Sequence, residues 1–416
     1  MRYFLVALLM ISGIHGLQAA TFNVNSTTDA VDSNPGDGIC ETSSGSGDCT
    51  LRAAVMEANE AAGPHTIELP AGDFVLSIDD PANDDASAGD LDVLEETTIR
   101  GSGVENTRID GDDTIRLFEA SDVLRIEDAT LQNGFAGSSA AFRGGAVLAS
   151  ADLVLDQVQL IGNRANTGGA IYTFADFEIQ RSLLRENVAG DFEVVNQRGH
   201  AMVVNLGATG TITATEISNN GPAPGTGGNF AAIFLTSSAL LNLVNSSVVD
   251  NVGVGVRVEN ANLTLSHSTL AGNERYQLNT FSFNDDNTIE IFGSLFQDSP
   301  AGFSACSADA DVQTSLGYNI SDDDSCLLTA TGDLEDTDAE LGPLQDNGGP
   351  TLSRAPASGS PAINLVPPSS CIDQEGSALT LDQRGEPRPS PFFTNCDAGA
   401  IEFQFSEQVF NDRFES

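Results

Sequence analysis

Four stretches of the chain share one spacing of apolar and polar positions. Each ends at an asparagine, with apolar residues ten, eight and three positions earlier. They are Leu153/Leu155/Leu160 before Asn163, Phe177/Ile179/Leu184 before Asn187, Leu241/Leu243/Val248 before Asn251, and Leu263/Leu265/Leu270 before Asn273. Apolar residues two apart, a gap, then one more describe a short inward-facing strand, a bend and a second short strand. The steps from Asn163 to Asn187 and from Asn251 to Asn273 are 24 and 22 residues, the period of a solenoid. Parallel pairing of successive coils then predicts an all-β solenoid, a single right-handed parallel β-helix. The polar residue six before each asparagine (Gln157, Arg181, Asn245, His267) is expected at a bend or pointing outward. The asparagines themselves suit a buried side-chain ladder or left-handed turn positions.

The pattern also predicts what surrounds the coils. A helix is expected from about Leu51 to Ala62, N-capped by Thr50 and ended by Gly63-Pro64. Gly144-Gly145 and Gly168-Gly169 recur in phase with the repeat and suit tight bends where coils stack closely. Between Asn187 and Asn251 the regular phase is lost, and Gly190 to Gly199 and Gly221 to Gly228 read as loops leaving the stack. After Leu341 the composition shifts toward Pro and Gly, marking a second module.

Met1-Arg2-Tyr3, an apolar run from Phe4 to Ile14 and Ala19-Ala20 read as a secretory signal peptide, too short for a membrane span. The mature protein is therefore expected to be exported, extracellular or at the cell surface, with no transmembrane segment after cleavage. The expected organisation is 1–20 signal peptide, 21–65 N-terminal cap, 66–340 β-helix, 341–405 C-terminal module and 406–416 tail. Six cysteines form three local couples, Cys40/Cys49, Cys306/Cys326 and Cys371/Cys396. Six allow fifteen connectivities. Sequential pairing is favoured because each couple closes a short loop rich in Gly, Ser and Asp.

Sixty acidic residues face 17 basic ones, all arginine, for a net charge of −43. Such a surface excludes nucleic acid and anionic lipid as partners and disfavours polyanionic glycans. Dense acids at Asp79, Asp80, Asp84 and Asp85, and at Asp322-Asp323-Asp324, are candidate calcium ligands, although they match no EF-hand or nonapeptide spacing. No other cofactor is expected.

Two segments carry a resemblance. Gly36 to Asn59, with Cys40, Cys49, Leu51, Arg52 and Ala54, resembles the CSLREA motif of exported bacterial β-helix proteins. Ala53 stands where that motif has Glu, so half of a capping box is absent, and Ala53→Glu is expected to stabilise slightly. LGPLQDNGGPT (Leu341 to Thr351), GSPAIN, DQRGEPRP and CDAGAIEF (ending at Phe403) resemble the choice-of-anchor Q domain. The chain ends in VFNDRFES (Val409 to Ser416), which reads either as a sorting signal or as a frayed end. Arg384, within Asp-Gln-Arg-Gly, reads as an ion-pair partner.

Together these resemblances imply the pectin-lyase-like superfamily, many of whose members are polysaccharide lyases or hydrolases. This chain departs from their patterns. It has no lysine, Gly199-His200-Ala201 lacks the last glycine of a Gly-His-Gly, and no Arg-Ile-Lys exists. The expected function is accordingly a non-catalytic, monomeric surface or extracellular protein, adhesin-like or binding a polysaccharide or cell-surface ligand. The alternative is a secreted polysaccharide lyase or glycoside hydrolase, for which Arg198 and His200 are the candidate catalytic residues. His65 and His267 read as structural.

Overall fold

The computed structural model describes residues 19–79, 85–137, 143–190, 199–222, 230–281, 288–307, 313–373 and 375–404. It is a right-handed parallel β-helix. Every pairing between its named strands is parallel in the two large sheets, one of 19 strands and one of nine. The larger sheet has two faces joined at a bend. The strands Leu153–Ile161 and Leu124–Gln132 run across that bend without interruption. In other coils the bend separates two strands, as in Phe177–Gln180 and Leu183–Arg185. The nine-stranded sheet, from Leu91–Val93 to Cys306–Ser307, is the third side of each coil.

The expected periodicity forms the core. Leu155, Ile179, Ile212, Leu243, Leu265 and Ile291 lie in register, one per coil, and all are fully buried. The residue six before each ladder asparagine makes the bend in the left-handed conformation, with φ of 53° at Gln157, 50° at Arg181, 45° at Asn245 and 47° at His267.

The asparagines form the buried ladder. The backbone N–H of Asn163 donates to Oδ1 of Asn187 at 3.0 Å, and Asn187, Asn220 and Asn251 repeat this to Asn220, Asn251 and Asn273 at 3.0, 2.9 and 3.1 Å. Gln277 ends the row by accepting from Asn273 Nδ2 at 2.7 Å. The residue before each asparagine takes the left-handed turn: Gly162, Glu186, Asn219, Asp250 and Gly272, with φ between 52° and 67°.

A second ladder of hydroxyls runs along the bend. The N–H of Ser182, Thr215, Ser246 and Ser268 donates to the side-chain oxygen of Thr215, Ser246, Ser268 and Ser294 in turn, and Ser294 N–H donates to Asn319 Oδ1. These donors and acceptors are small polar residues that the apolar pattern does not mark.

The phase is not lost between Asn187 and Asn251. Asn220 holds the ladder there, with Ile212 and Ile217 at the inward positions and Gly210 at the third. Glycine is required because the Phe177 ring of the preceding coil fills the place: a Cβ on Gly210 would lie 2.0 Å from it. The longer steps of 33 and 31 residues arise from insertions after Asn187 and Asn220. Most of both expected loops, 191–198 and 223–229, lies outside the described residues.

Both ends of the stack are covered. Leu51–Asn59, shorter than expected, is the one α-helix among the described residues, and it packs on Leu91–Val93 and His65–Glu68. Thr50 Oγ1 accepts the Ala53 N–H at 3.1 Å and donates to Ala30 O. Arg52 pairs with Asp29 at 2.6 Å, both side chains buried, and Glu57 accepts the Gly36 and Gly38 N–H groups. At the other end, residues following Ile320–Ser321 fold over the last coil through Asn319–Asp333 and Ser321–Leu334 hydrogen bonds.

The three disulfides join Cys40–Cys49, Cys306–Cys326 and Cys371–Cys396, the sequential pairing. Residues from Leu341 onward do not cap the end. They lie along the flank of the solenoid, linked internally by isolated antiparallel bridges such as Gln345↔Ser353 and Val366↔Cys396.

Two outcomes check this account. Asn220→Ala strips acceptors from Asn187 and leaves Leu184 O without its donor, so it should cost about 2–4 kcal/mol in denaturant unfolding. The expected gain from Ala53→Glu is reversed, because Ala53 is fully buried and a carboxylate there has no solvent. Its melting temperature should fall below that of the parent.

Candidate binding trench

The second face of the larger sheet points an outward row at the C-terminal module: Gln159, Leu183, Glu216, Ser247, Thr269, Leu295. The module covers this row from Glu216 onward. Leu352 N–H donates to Glu216 Oε2 at 2.7 Å, Ser247 Oγ donates to Gln383 Oε1, and Ala400 N–H donates to Thr269 Oγ1 at 3.0 Å. Arg354 reaches Asp298 at 2.5 Å and Asp250 at 3.6 Å. Gln159 and Arg185 stay partly exposed at the module's edge, beside the buried Leu183, and a trench forms there.

The floor of the trench is Gln157, Gln159, Arg181, Leu183 and Arg185. One wall is the loop at Gly103–Glu105 and the other is the loop from Asp346 to Leu352. Two adjoining hollows of about 170 and 250 Å³ share Gln159, Leu183, Pro350 and Thr351. Together they fall within the roughly 300–1,000 Å³ of small-ligand sites. A separate hollow of about 480 Å³ lies between Leu265, Phe292, Leu316 and Ile372, and its lining is mainly apolar.

The wall loop is held by the motifs noted in the sequence. Gln383 Nε2 donates to Thr351 Oγ1 at 3.0 Å and to Leu352 O at 3.2 Å. Arg384 is fixed by Asp382 at 2.6 Å and donates to Asn347 O at 3.2 Å. Gly349, at φ +86°, packs so closely on Arg384 that a Cβ would lie 2.6 Å from its Cα. The segments DNGGPT and DQRGEP thus meet in space to shape one side of the trench.

The floor mixes charges. Arg185 donates to the fully buried Glu216 at 2.7 Å, and Arg181 pairs with Asp156. Gln157 Nε2 donates to Asp128 Oδ1 at 3.1 Å. Burial raises the Asp128 pKa above its ordinary value, helped by the neighbouring carboxylates of Asp156 and Glu127 and opposed by Arg181 and Arg100. Such a floor presents several donors and acceptors within one concavity, the requirement for holding a polyhydroxylated ligand.

Within the module lies a buried ion network. Arg388 is 3.3 Å from Glu402, and both are fully buried. Asp397 N–H and Ser390 N–H donate to Glu402 at 2.9 and 3.2 Å. Burial pushes the Glu402 carboxyl up to about 7, with Arg388 opposing and Asp397 adding to the rise.

The residues singled out in the sequence do not gather at the trench. His200 is wholly buried, Nδ1 accepting the Ala189 N–H at 3.1 Å, edge-on to Phe230; burial holds its pKa down to about 4, so it is neutral. Arg198 lies outside the described residues, as do Asp80 and Asp84. Asp85 accepts from Ser87 N–H and Oγ, which lowers its pKa, while Asp79 lies four residues past the strand Gly72–Val75. Among the described residues, no group of three or more His, Cys, Asp and Glu side chains is arranged to hold a metal ion.

His65 is buried with Nε2 near Ala61 O, and His267 is buried beside Ser266 Oγ. The trench residues were missed. Counting back six, four and two from each ladder asparagine marks them as outward, but nothing in that count says which coils the module leaves uncovered.

No known protein-family model matches the chain, and no curated protein matches it in sequence. Among solved structures, the chain is similar to pectate lyase Pel9A, with 12% identity over 93% of this chain and 97% of that one and a TM-score of 0.43. It is also similar to the A-module of the Azotobacter vinelandii mannuronan C-5 epimerase AlgE4, with 15% identity over 68% of this chain and 90% of that one and a TM-score of 0.36. No helix among the described residues is long and apolar enough to cross a membrane.

The buried network has a pH signature. Glu402 has a folded pKa above its unfolded value near 4.5, so its contribution to stability is complete below 4.5 and is lost as pH rises through about 7. His200 acts in the opposite sense, complete above 6.5 and lost as pH falls toward 4. Between pH 4.5 and 7 the two contributions oppose each other, Glu402 falling and His200 rising. Glu402→Gln removes the falling one, so unfolding free energy should rise more steeply with pH across that window in the variant than in the parent.

Proposed function

We propose that this chain is an exported, monomeric and non-catalytic β-helix protein that binds glycans through the trench between its solenoid and its C-terminal module. The observation that carries this reading is the trench floor, where Gln157, Gln159, Arg181 and Arg185 converge under Thr351. Side-chain amides and guanidinium groups supply directional donors to sugar hydroxyls, and a parallel-sheet floor holds them at fixed spacing. Export is supported by the N-terminal apolar segment and by three disulfides, which persist in oxidising compartments. In this reading the CSLREA-like segment is the cap of the stack. The choice-of-anchor Q-like segment is a flank module that completes the ligand site.

A second reading rests on Asp128. A carboxyl group with a raised pKa beside an amide and a guanidinium has the property needed of a general acid, which suits a secreted polysaccharide lyase or glycoside hydrolase. A panel of soluble glycans, tested with and without calcium, separates the two. Binding without new reducing or unsaturated ends is expected, and the double variant Gln157→Ala/Gln159→Ala should weaken it about tenfold, since each lost hydrogen bond costs roughly 0.5–1.5 kcal/mol. Release of chain ends from any glycan, abolished by Asp128→Asn, overturns the non-catalytic reading. A calcium requirement for binding would restore a metal to the site.

A further inference from the structure

The charge of the trench narrows its ligand. Its two guanidinium groups are already engaged, Arg185 by Glu216 and Arg181 by Asp156. Glu105, Asp128 and Asp346 also line it, and none of them is in ion-pair contact with an arginine among the described residues. Asp128 is crowded as well: Asp156 and Glu127 both act on it as like charges, and the same carboxylates crowd Arg100 and Arg181 into ion pairs. A site with surplus carboxylates and guanidinium groups whose charge is already paired repels a carboxylate on the ligand. An ammonium group placed beside Asp128 relieves the like-charge repulsion and gains charge-assisted hydrogen bonds.

Resting on the glycan-binding reading, we propose that the trench selects glycans bearing free amino groups, hexosamines, over uronate glycans. The polyhydroxylated ring meets Gln157, Gln159 and Thr351, and the ammonium lies toward Asp128, with Glu105 and Asp346 on the two walls. The overall charge of −43 adds long-range attraction of the same sign, but it does not localise the ligand. Neutralising single carboxylates within the trench does.

The experiment is calorimetry on the full disulfide-bonded chain with four probes of equal length: a hexosamine oligomer, its N-acetylated form, an oligouronate and an oligolysine. It is run at mildly acidic pH, where the sugar amine is charged, and at low and physiological salt. The hexosamine oligomer should bind most tightly, about two- to fivefold better than its N-acetylated form for each amine engaged, and the oligouronate least. Glu105→Gln/Asp346→Asn and, separately, Asp128→Asn should reduce hexosamine affinity by a similar factor and reduce affinity for the N-acetylated oligomer by less. Asparagine is well tolerated at Asp128, whose φ is 54°.

Oligouronate binding as tight as hexosamine binding overturns the selectivity. So does oligolysine binding that matches it and responds equally to the variants, which would make the trench a site for basic peptides. Equal affinity for the amine and N-acetyl forms refutes the selectivity and keeps the glycan site. Failure of all three glycans to bind removes the glycan-binding reading itself.

Discussion

The side-chain ladder at the turns is the constraint on which the rest of this molecule depends. A coil of a parallel solenoid must reverse direction three times inside a dry stack, and each reversal leaves backbone N–H groups without a strand partner. Here the amide oxygen of the next asparagine accepts the N–H of the previous one, from Asn163 through Asn273. The hydroxyl ladder does the same at the bend. Because side chains of neighbouring coils must meet within hydrogen-bond distance, the ladders fix the register of the coils they join. Register in turn decides which residue of each strand points inward.

That register has consequences outside the core. Once Asn187 and Asn220 are aligned, Leu183 must oppose Glu216, and Arg185 must oppose Ser218. The Arg185–Glu216 pair is therefore a product of stacking, made between residues 31 apart in sequence. The same alignment carries Ser247 and Thr269 into one outward row, where the C-terminal module takes them as hydrogen-bond partners. A face that would otherwise be solvated is thereby buried, and the trench lies at the module's edge, where Gln159 and Arg185 stay partly exposed.

The module has little regular structure of its own, and its order comes from polar contacts. Asp382, Arg384, Arg388, Asp397 and Glu402 form one buried set in which charges meet charges and backbone groups. Such a set is costly to desolvate and contributes more to a unique arrangement than to stability. In this protein it orders a segment that also carries Gln383 and the Gly349–Thr351 wall, so the geometry of the trench is tied to the integrity of the buried network. Acidic residues here are thus of two kinds: a solvated majority, and a buried minority that positions the site.

The sequence by itself determined the repeat, the parallel β-helix, the helical cap, the disulfide couples and the bend positions, because each is set by local spacing or short loops. It did not reveal Asn220 as a ladder member, since its coil replaces an apolar residue with Gly210, and the reason is a phenylalanine ring in the preceding coil. Nor did it separate a catalytic candidate such as His200 from a core residue, because burial is a property of all three sides of a coil at once. The trench belongs to the tertiary structure alone. Its floor comes from Gln157–Arg185 and its walls from Gly103–Glu105 and Asp346–Leu352, segments that no local pattern relates. Stacking fixes the outward rows, docking of the module decides which of them stay open, and both are long-range contacts that a repeat read along the chain does not contain.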